Sequence, residues 1–359
     1  MNSLYIKKTL NSSSIIFWVL TSLTRGGAAV AAILLLSCGP LPDSREFLER
    51  DIHPPVFLGA GAPDEETFEL IFNEEGDLSK QEISIYPETS MESVGWQGET
   101  CRITLSETMQ PGVEYALEGT LRDEEGNSLT FLTHVFGYNP NLPALRLNEI
   151  TTQGSTTNPD KVEIKVLEAG NTAGLCLYEG VDTSWTNRKV LPPIEVEAED
   201  YIVVHFRPAG TSDEIDEIED SYECSADKAI PGAWDLWMEG SSGISSNNGV
   251  IALYESTTGP LIDGFLYSNR TSSSDEKYRG FGTTRALERA DILHEQGGWE
   301  AKERFVAPED AVDPDDSTAT RSMCRIPEGL DTDTAEDWHI VPTRGSTFGS
   351  LNSEEVYEP

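Results

Sequence analysis

The chain has 359 residues, with 63 Asp or Glu against 25 Lys or Arg, a formal net charge of −38. Such an anionic surface repels phosphate backbones and anionic headgroups, which excludes nucleic acid as a partner and leaves solubility, cations or basic partners. Apolar residues are 38% of the chain beside 30 Gly and 20 Pro, so turns are frequent and short strands are favoured over long helices.

Residues 1–37 read as a targeting segment. Lys7 and Lys8 give a basic start, Arg25 precedes the apolar run Ala28–Leu36, and the run ends at Ser37-Cys38-Gly39. The tetrad Leu35-Leu36-Ser37-Cys38 resembles the lipobox of bacterial lipoproteins, which implies cleavage before Cys38 and acylation of its sulfur and new amine. Removal of the leader leaves 22 basic against 63 acidic residues, a net charge of −41. An uncleaved span over Ile15–Leu36 is the alternative. It would hold Arg25 near mid-membrane at about 2.5–3.5 kcal/mol or more. Residues 38–52 then form a polar, lipid-anchored tether, and the expected location is the cell envelope, periplasmic or surface-exposed.

A first β region covers 53–140. Phe68, Leu70 and Phe72 alternate with polar positions, as do Ile83 and Ile85, Ile103 and Leu105, and Tyr115, Leu117 and Leu121. Asp123-Glu124-Glu125-Gly126-Asn127 is a turn, and Leu129, Phe131 and Val135 come after it at even spacing, which predicts a hairpin. Strands at this spacing predict a small sandwich, and the stretch Tyr115–Phe131 is similar to bacterial Ig-like modules. Asn139-Pro140-Asn141-Leu142-Pro143 reads as a stiff linker.

The second region, 141–350, opens with Leu147-Asn148-Glu149-Ile150, continues through strand-like Lys161–Leu167 and Leu175–Tyr178, and holds a dense β-branched run at Tyr201–Phe206. Gly249–Tyr254 and Leu261–Tyr267 are further strands, and Thr284–His294 is a helix. With Leu261-Ile262-Asp263-Gly264-Phe265, Arg325, Asp331, Asp333, Asp337-Trp338 and Pro342–Gly345, this order resembles the lamin-tail domain, an Ig-like β-sandwich that bacterial lipoproteins carry. The family's Trp is missing from Val162–Val166, and 211–230 (acidic) and 269–320 look inserted. Residues 351–359 are a polar tail. The predicted fold class is therefore mostly β: two tandem Ig-like sandwiches after a lipoprotein signal peptide, with irregular acidic insertions in the second.

Few patterns carry chemistry. Asp331, Asp333 and Asp337 stand at positions 1, 3 and 7 of a short loop, a candidate calcium site, although position 6 is Glu336 and position 12 is Pro342, which excludes an EF-hand. A solvated turn with Asx bonding is the plainer reading. Trp234 and Trp237, three apart, either bury one face of a short element or form a binding surface for a glycan or a protein. The run Asp213–Asp220 reads as an acidic loop whose Ile215 and Ile218 would face a partner if it were helical. Ser274-x-x-Lys277 lacks the companion motifs of serine acyltransferases, and the five histidines are scattered. Cys101, Cys176, Cys224 and Cys324 show no zinc spacing, so they are free thiols or form up to two disulfides. No catalytic set emerges and no cofactor is required beyond calcium as a candidate. The leading expectation is a lipid-anchored display or interaction protein with an unknown protein or glycan partner. The alternatives are a calcium-assisted glycan binder and a hydrolase with a carboxylate site in 211–320.

Overall fold

The computed structural model describes residues 51–78, 82–327 and 329–359. The leader and Cys38 lie outside the described residues.

Alternation builds the first sandwich. β1 (Phe57–Asp64), β2 (Thr67–Phe72), β4 (Met91–Gln97) and β5 (Thr100–Leu105) form one antiparallel sheet in the order β1-β2-β5-β4. β3 (Ile83–Tyr86), β6 (Glu114–Arg122) and β7 (Ser128–Phe136) form the other, in the order β3-β6-β7. Every second side chain points inward. Phe68, Leu70, Phe72, Ile103, Leu105, Leu117 and Leu121 are buried, and Phe131 packs edge-on to Phe72 at 5.5 Å. Gly119 sits opposite Phe131, and a Cβ there would stand 2.8 Å from its ring. The β6–β7 turn closes through Asp123, whose carboxylate accepts from Asn127 N–H at 2.7 Å and from its side-chain amide at 2.6 Å.

The linker is fixed to the start of the second sandwich: Asn139 donates to the carbonyls of Asn171 and Ala173. This sandwich is built from β8 (Ala144–Thr151), β9 (Lys161–Glu168), a small pair β10 (Gly170–Asn171) and β13 (Glu195–Val196), β11 (Cys176–Val181), β12 (Ser184–Val190), β14 (Tyr201–Phe206), β15 (Trp234–Met238), β16 (Asn248–Tyr254), β17 (Leu261–Ser268), helix α1 (Thr284–Glu295), β18 (Met323–Arg325) and β19 (Trp338–Ile340). They make a six-stranded sheet, β15-β14-β9-β8-β18-β19, against a four-stranded one, β12-β11-β16-β17. One apolar core lies between them, with Leu147, Ile164, Ile202, Val204, Leu236, Ile251, Leu253 and Phe265 among its members.

Both sheets are covered on their outer faces as well. Helix α1 packs on β11 and β16, which is why every residue of β11 and all of Val250–Tyr254 are buried rather than every second one. Thr283 caps the helix by accepting from Ala286 N–H at 3.1 Å. Gly264 allows the close approach, since a Cβ there would lie 2.4 Å from Leu293 Cδ1. The outer face of the six-stranded sheet is covered by the 211–233 segment and by the C-terminal residues 345–352. All four described cysteines are free thiols; Cys101, Cys176 and Cys324 are buried as small apolar groups.

Candidate functional site

The outer face of the six-stranded sheet carries the densest set of ionisable side chains, and most of them are buried. A β-bulge at Asn148 sets it up. The extra residue turns Glu149 outward beside Asn148, opposite Glu163 of β9. Both glutamates are fully buried. The same face carries Lys161 on β9, Tyr201, Val203 and His205 on β14, Asp235 and Trp237 on β15, and Ser322 and Cys324 at β18.

Each group is bonded locally. His205 Nε2 lies 2.6 Å from Asp235 Oδ1, with both side chains 1% exposed. The histidine ring stacks on Trp237 at 4.2 Å, and Nδ1 meets no hydrogen-bond partner among the described residues. Burial pushes the His205 pKa down, favouring the neutral ring against the pull of Asp235. Glu149 accepts from Ser322 Oγ, from Thr347 N–H at 3.0 Å and from Thr347 Oγ1 at 2.8 Å. Glu163 accepts from Asn148 Nδ2 at 2.6 Å and from Gly349 N–H at 2.5 Å. Burial pushes both glutamates up; Glu163 is driven further by the neighbouring charge of Glu149. Lys161, pushed down by burial, donates to Asn158 Oδ1 at 3.0 Å and lies over the Phe348 ring at 4.5 Å.

The acidic segment is a lid on the sheet edge. Glu217 is buried; its carboxylate accepts from Asp235 N–H at 2.7 Å and its own N–H donates to Asp235 carbonyl at 3.0 Å. Asp216 accepts from Trp237 N–H at 2.7 Å and pairs with Lys189. These acids satisfy the open edge of β15, so part of the charge run is structural. Ile215 and Ile218 are exposed, in irregular chain rather than on the short helix that would have aimed them at a partner.

Trp234 and Trp237 belong to a strand, so their spacing of three puts them on opposite faces, not on the shared face that a helical element would give. Trp234 is half-buried against the main core and its Nε1 donates to Asp200 at 3.3 Å. Trp237 is buried on the polar face.

Asp331, Asp333 and Asp337 lie at the far end of the same sheet. Asp331 Oδ1 accepts from Arg325 Nη1 at 2.5 Å, and Asp337 Oδ2 stands 3.6 Å from the same nitrogen. Asp263 of β17 accepts from Arg325 Nη2 at 3.0 and 3.2 Å. Both oxygens of Asp337 are engaged by the Thr332 hydroxyl and by the N–H groups of Thr332 and Thr334. Asp333 adopts φ 53° and approaches Asp263 and Asp331 with ligand atoms within 4.8 Å. The cation at the centre of these carboxylates is a guanidinium, buried over the Trp338 ring at 4.9 Å. Asp263 and Asp331 are turned toward that arginine, with Asp337 farther off, so a guanidinium already supplies positive charge among them. Asp263, which sequence spacing alone would not connect to the loop, is its main partner.

These features define a pair of β-sandwiches whose second member buries a polar layer under its own chain. Residues 143–340 match the family described as TP_1001_2nd, protein second domain, more than half of the chain, and the chain belongs to that family. No curated protein matches. Among solved structures the chain is similar to the N-terminal part of the bacterial S-layer protein SbsC, with 19% identity over 42% of this chain and 40% of that chain and a TM-score of 0.23. It is also similar to domains 1–6 of the surface layer protein SbsC, with 12% identity, 57% and 39% coverage and a TM-score of 0.22. The chain thus spans about two fifths of either S-layer chain.

Proposed function

We propose that the protein is a lipid-anchored component of the bacterial cell envelope that displays two acidic β-sandwiches, Ig-like and lamin-tail-like in turn, and that it works by binding rather than by catalysis. The single observation that carries this reading is the order basic start, apolar run, Leu35-Leu36-Ser37-Cys38 at the head of the chain. Two acyl chains on one cysteine supply the double anchor that a single chain lacks. The state of the acid–base groups supports the non-catalytic part. His205, Asp235, Glu149, Glu163 and Lys161 are buried, and they bond to the sheet, the acidic segment and the C-terminal residues.

The test is metabolic labelling of the expressing cell with a radiolabelled fatty acid, followed by mass spectrometry of the N-terminal peptide. The expected result is a peptide that begins at acylated Cys38 and an unlabelled, unprocessed Cys38→Ala variant. An intact leader, or a bare thiol at Cys38, overturns the proposal.

A further inference from the structure

The C-terminal residues 345–352 lie across the outer face of the six-stranded sheet as a strap, and the bonds that hold it are unusual in kind. Two backbone N–H groups of the strap, Thr347 and Gly349, are received by two side chains, Glu149 and Glu163. Those two glutamates stand opposite each other on β8 and β9, fully buried. Between the two N–H groups, Phe348 packs with Tyr201, Val203 and Ala233. Farther along, Asn352 is clamped by Asn148 and by the Arg325 carbonyl.

We propose that this strap is a proton-dependent latch: it is closed while Glu149 and Glu163 share a proton, and it lifts from the sheet when both are ionised.

Charge counting on this face carries the argument. The charged and titratable groups on this face are Arg146 from β8, Lys161 and Lys165 from β9, Tyr201 and His205 from β14, Asp235 from β15 and Cys324 from β18, with Glu217 and Lys228 from the acidic segment. The strap itself adds no titratable group between 345 and 352. Asp235 is taken by His205 at 2.6 Å. Lys165, next on β9, is taken by Glu199 at 2.8 Å. Lys161, two residues from Glu163, and Arg146 of β8, opposite Lys165, are the cations beside the two carboxylates, and Lys161 donates to Asn158 instead of to either glutamate. Two like charges opposite each other in a buried sheet repel strongly, so one glutamate retains a proton when the strap excludes water. Hydration of the pair requires the strap to move, because Thr347 and Gly349 cover it.

The direction is set by linkage. The closed state holds its carboxyl proton to a higher pH than the open, hydrated state. Closure is therefore fully favoured below the ordinary glutamate range and is lost as pH rises through the raised pKa of the buried pair. Release of one proton on opening changes the opening equilibrium by about tenfold per pH unit across that interval.

Hydrogen–deuterium exchange of the full chain between about pH 5 and pH 9, corrected for intrinsic exchange, tests the latch. Protection at Thr347 and Gly349 should fall about tenfold per pH unit over part of this range, and should lie well below that of the β16 amides, which report global unfolding. Glu163→Gln, which removes the titrating charge, should flatten the dependence. Phe348→Ala should lower strap protection at every pH with the slope kept, which separates the latch from simple packing. Strap protection that is constant with pH, or that equals that of β16 at every pH, overturns the proposal, and so does an unchanged slope in folded Glu163→Gln. These readouts do not depend on acylation of Cys38.

Discussion

Arg325 and Asp263 tie together the two sheets of the second sandwich: the arginine stands on β18, the aspartate on β17, and two contacts of 3.0 and 3.2 Å join them with both side chains 3% exposed. Both also serve Leu147 of β8. Its N–H donates to Asp263 Oδ2 at 2.7 Å, and its carbonyl accepts from Arg325 Nε at 2.9 Å. The pair thus satisfies a strand's backbone next to the bulge at Asn148.

Breaking this pair should be severe. Arg325→Met leaves a buried carboxylate without its cation and a carbonyl without its donor, and should lower stability by about 3–5 kcal/mol. Asp263→Asn should fall in a similar range. The double replacement Arg325→Met with Asp263→Leu should be less destabilising than the sum of the two single changes, because no lone charge remains. Urea denaturation of the three variants measures this, and additive losses would show that the two residues act apart.

Calcium should not bind tightly at Asp331, Asp333 and Asp337. Arg325 already places a cation among these carboxylates, and the Asp337 oxygens are spent on Thr332 and Thr334. Titration calorimetry with calcium at physiological salt should give no saturable heat, and Asp333→Asn should shift stability by less than about 0.5 kcal/mol, since Asn tolerates the left-handed backbone found there. A saturable isotherm lost in Asp333→Asn would reverse this conclusion.

The two tryptophan environments should separate cleanly. Trp237, buried and stacked on His205, should lose about 3–5 kcal/mol as Trp237→Ala. Trp185, 45% exposed on β12 with Arg188 over its ring, should lose less than about 1 kcal/mol as Trp185→Ala. Thermal melts of both variants decide the order.

Global stability should peak on the acid side of neutrality. Burial raises the carboxyls of Glu149, Glu163, Asp160, Glu179, Glu217, Asp263 and Asp333, so their contribution is complete below the ordinary carboxylate range and is lost as pH rises through their folded values. His205 and His339 work the other way: their lowered values give a contribution that is present above about 6.5 and lost below it. These carboxyls outweigh the two histidines, and protonation also relieves the net charge. Calorimetric melting temperature should therefore rise from about pH 8 to about pH 5.5, and a maximum at alkaline pH would contradict the assignment.

Five of the seven strands of the first sandwich were legible, because one face of each is wet and period-two alternation is then visible; the edge strands β1 and β4, which bury no residue fully, were not. Phe68, Leu70, Phe72, Ile103, Leu105, Tyr115, Leu117 and Leu121 are all inward. In the second sandwich Tyr201–Phe206 and Gly249–Tyr254 also read as strands, but covered on both sides they carry no alternation to say which residues face the core. Asp263, Arg325, Asp331 and Asp337 were visible as motif members. Their convergence was not, since 62 residues separate Asp263 from Arg325 and only the face-to-face packing of the two sheets brings them together. The strap was missed entirely. Thr347-Phe348-Gly349 has no periodicity, and the signal that could have pointed to it was the pair of acids in strands otherwise built for a core, Glu149 and Glu163.

β14 and β15 are parallel neighbours, so the chain must travel back along the sheet between Phe206 and Trp234 before it can pair again. The acidic stretch is this return path. It can be shortened or recoded at its outer turns, but it cannot be deleted without stranding β15. Anyone grafting a reporter or epitope onto this scaffold should leave that path intact and use the Asp123–Asn127 turn, where the hairpin closes on itself and no other strand waits for the chain to arrive.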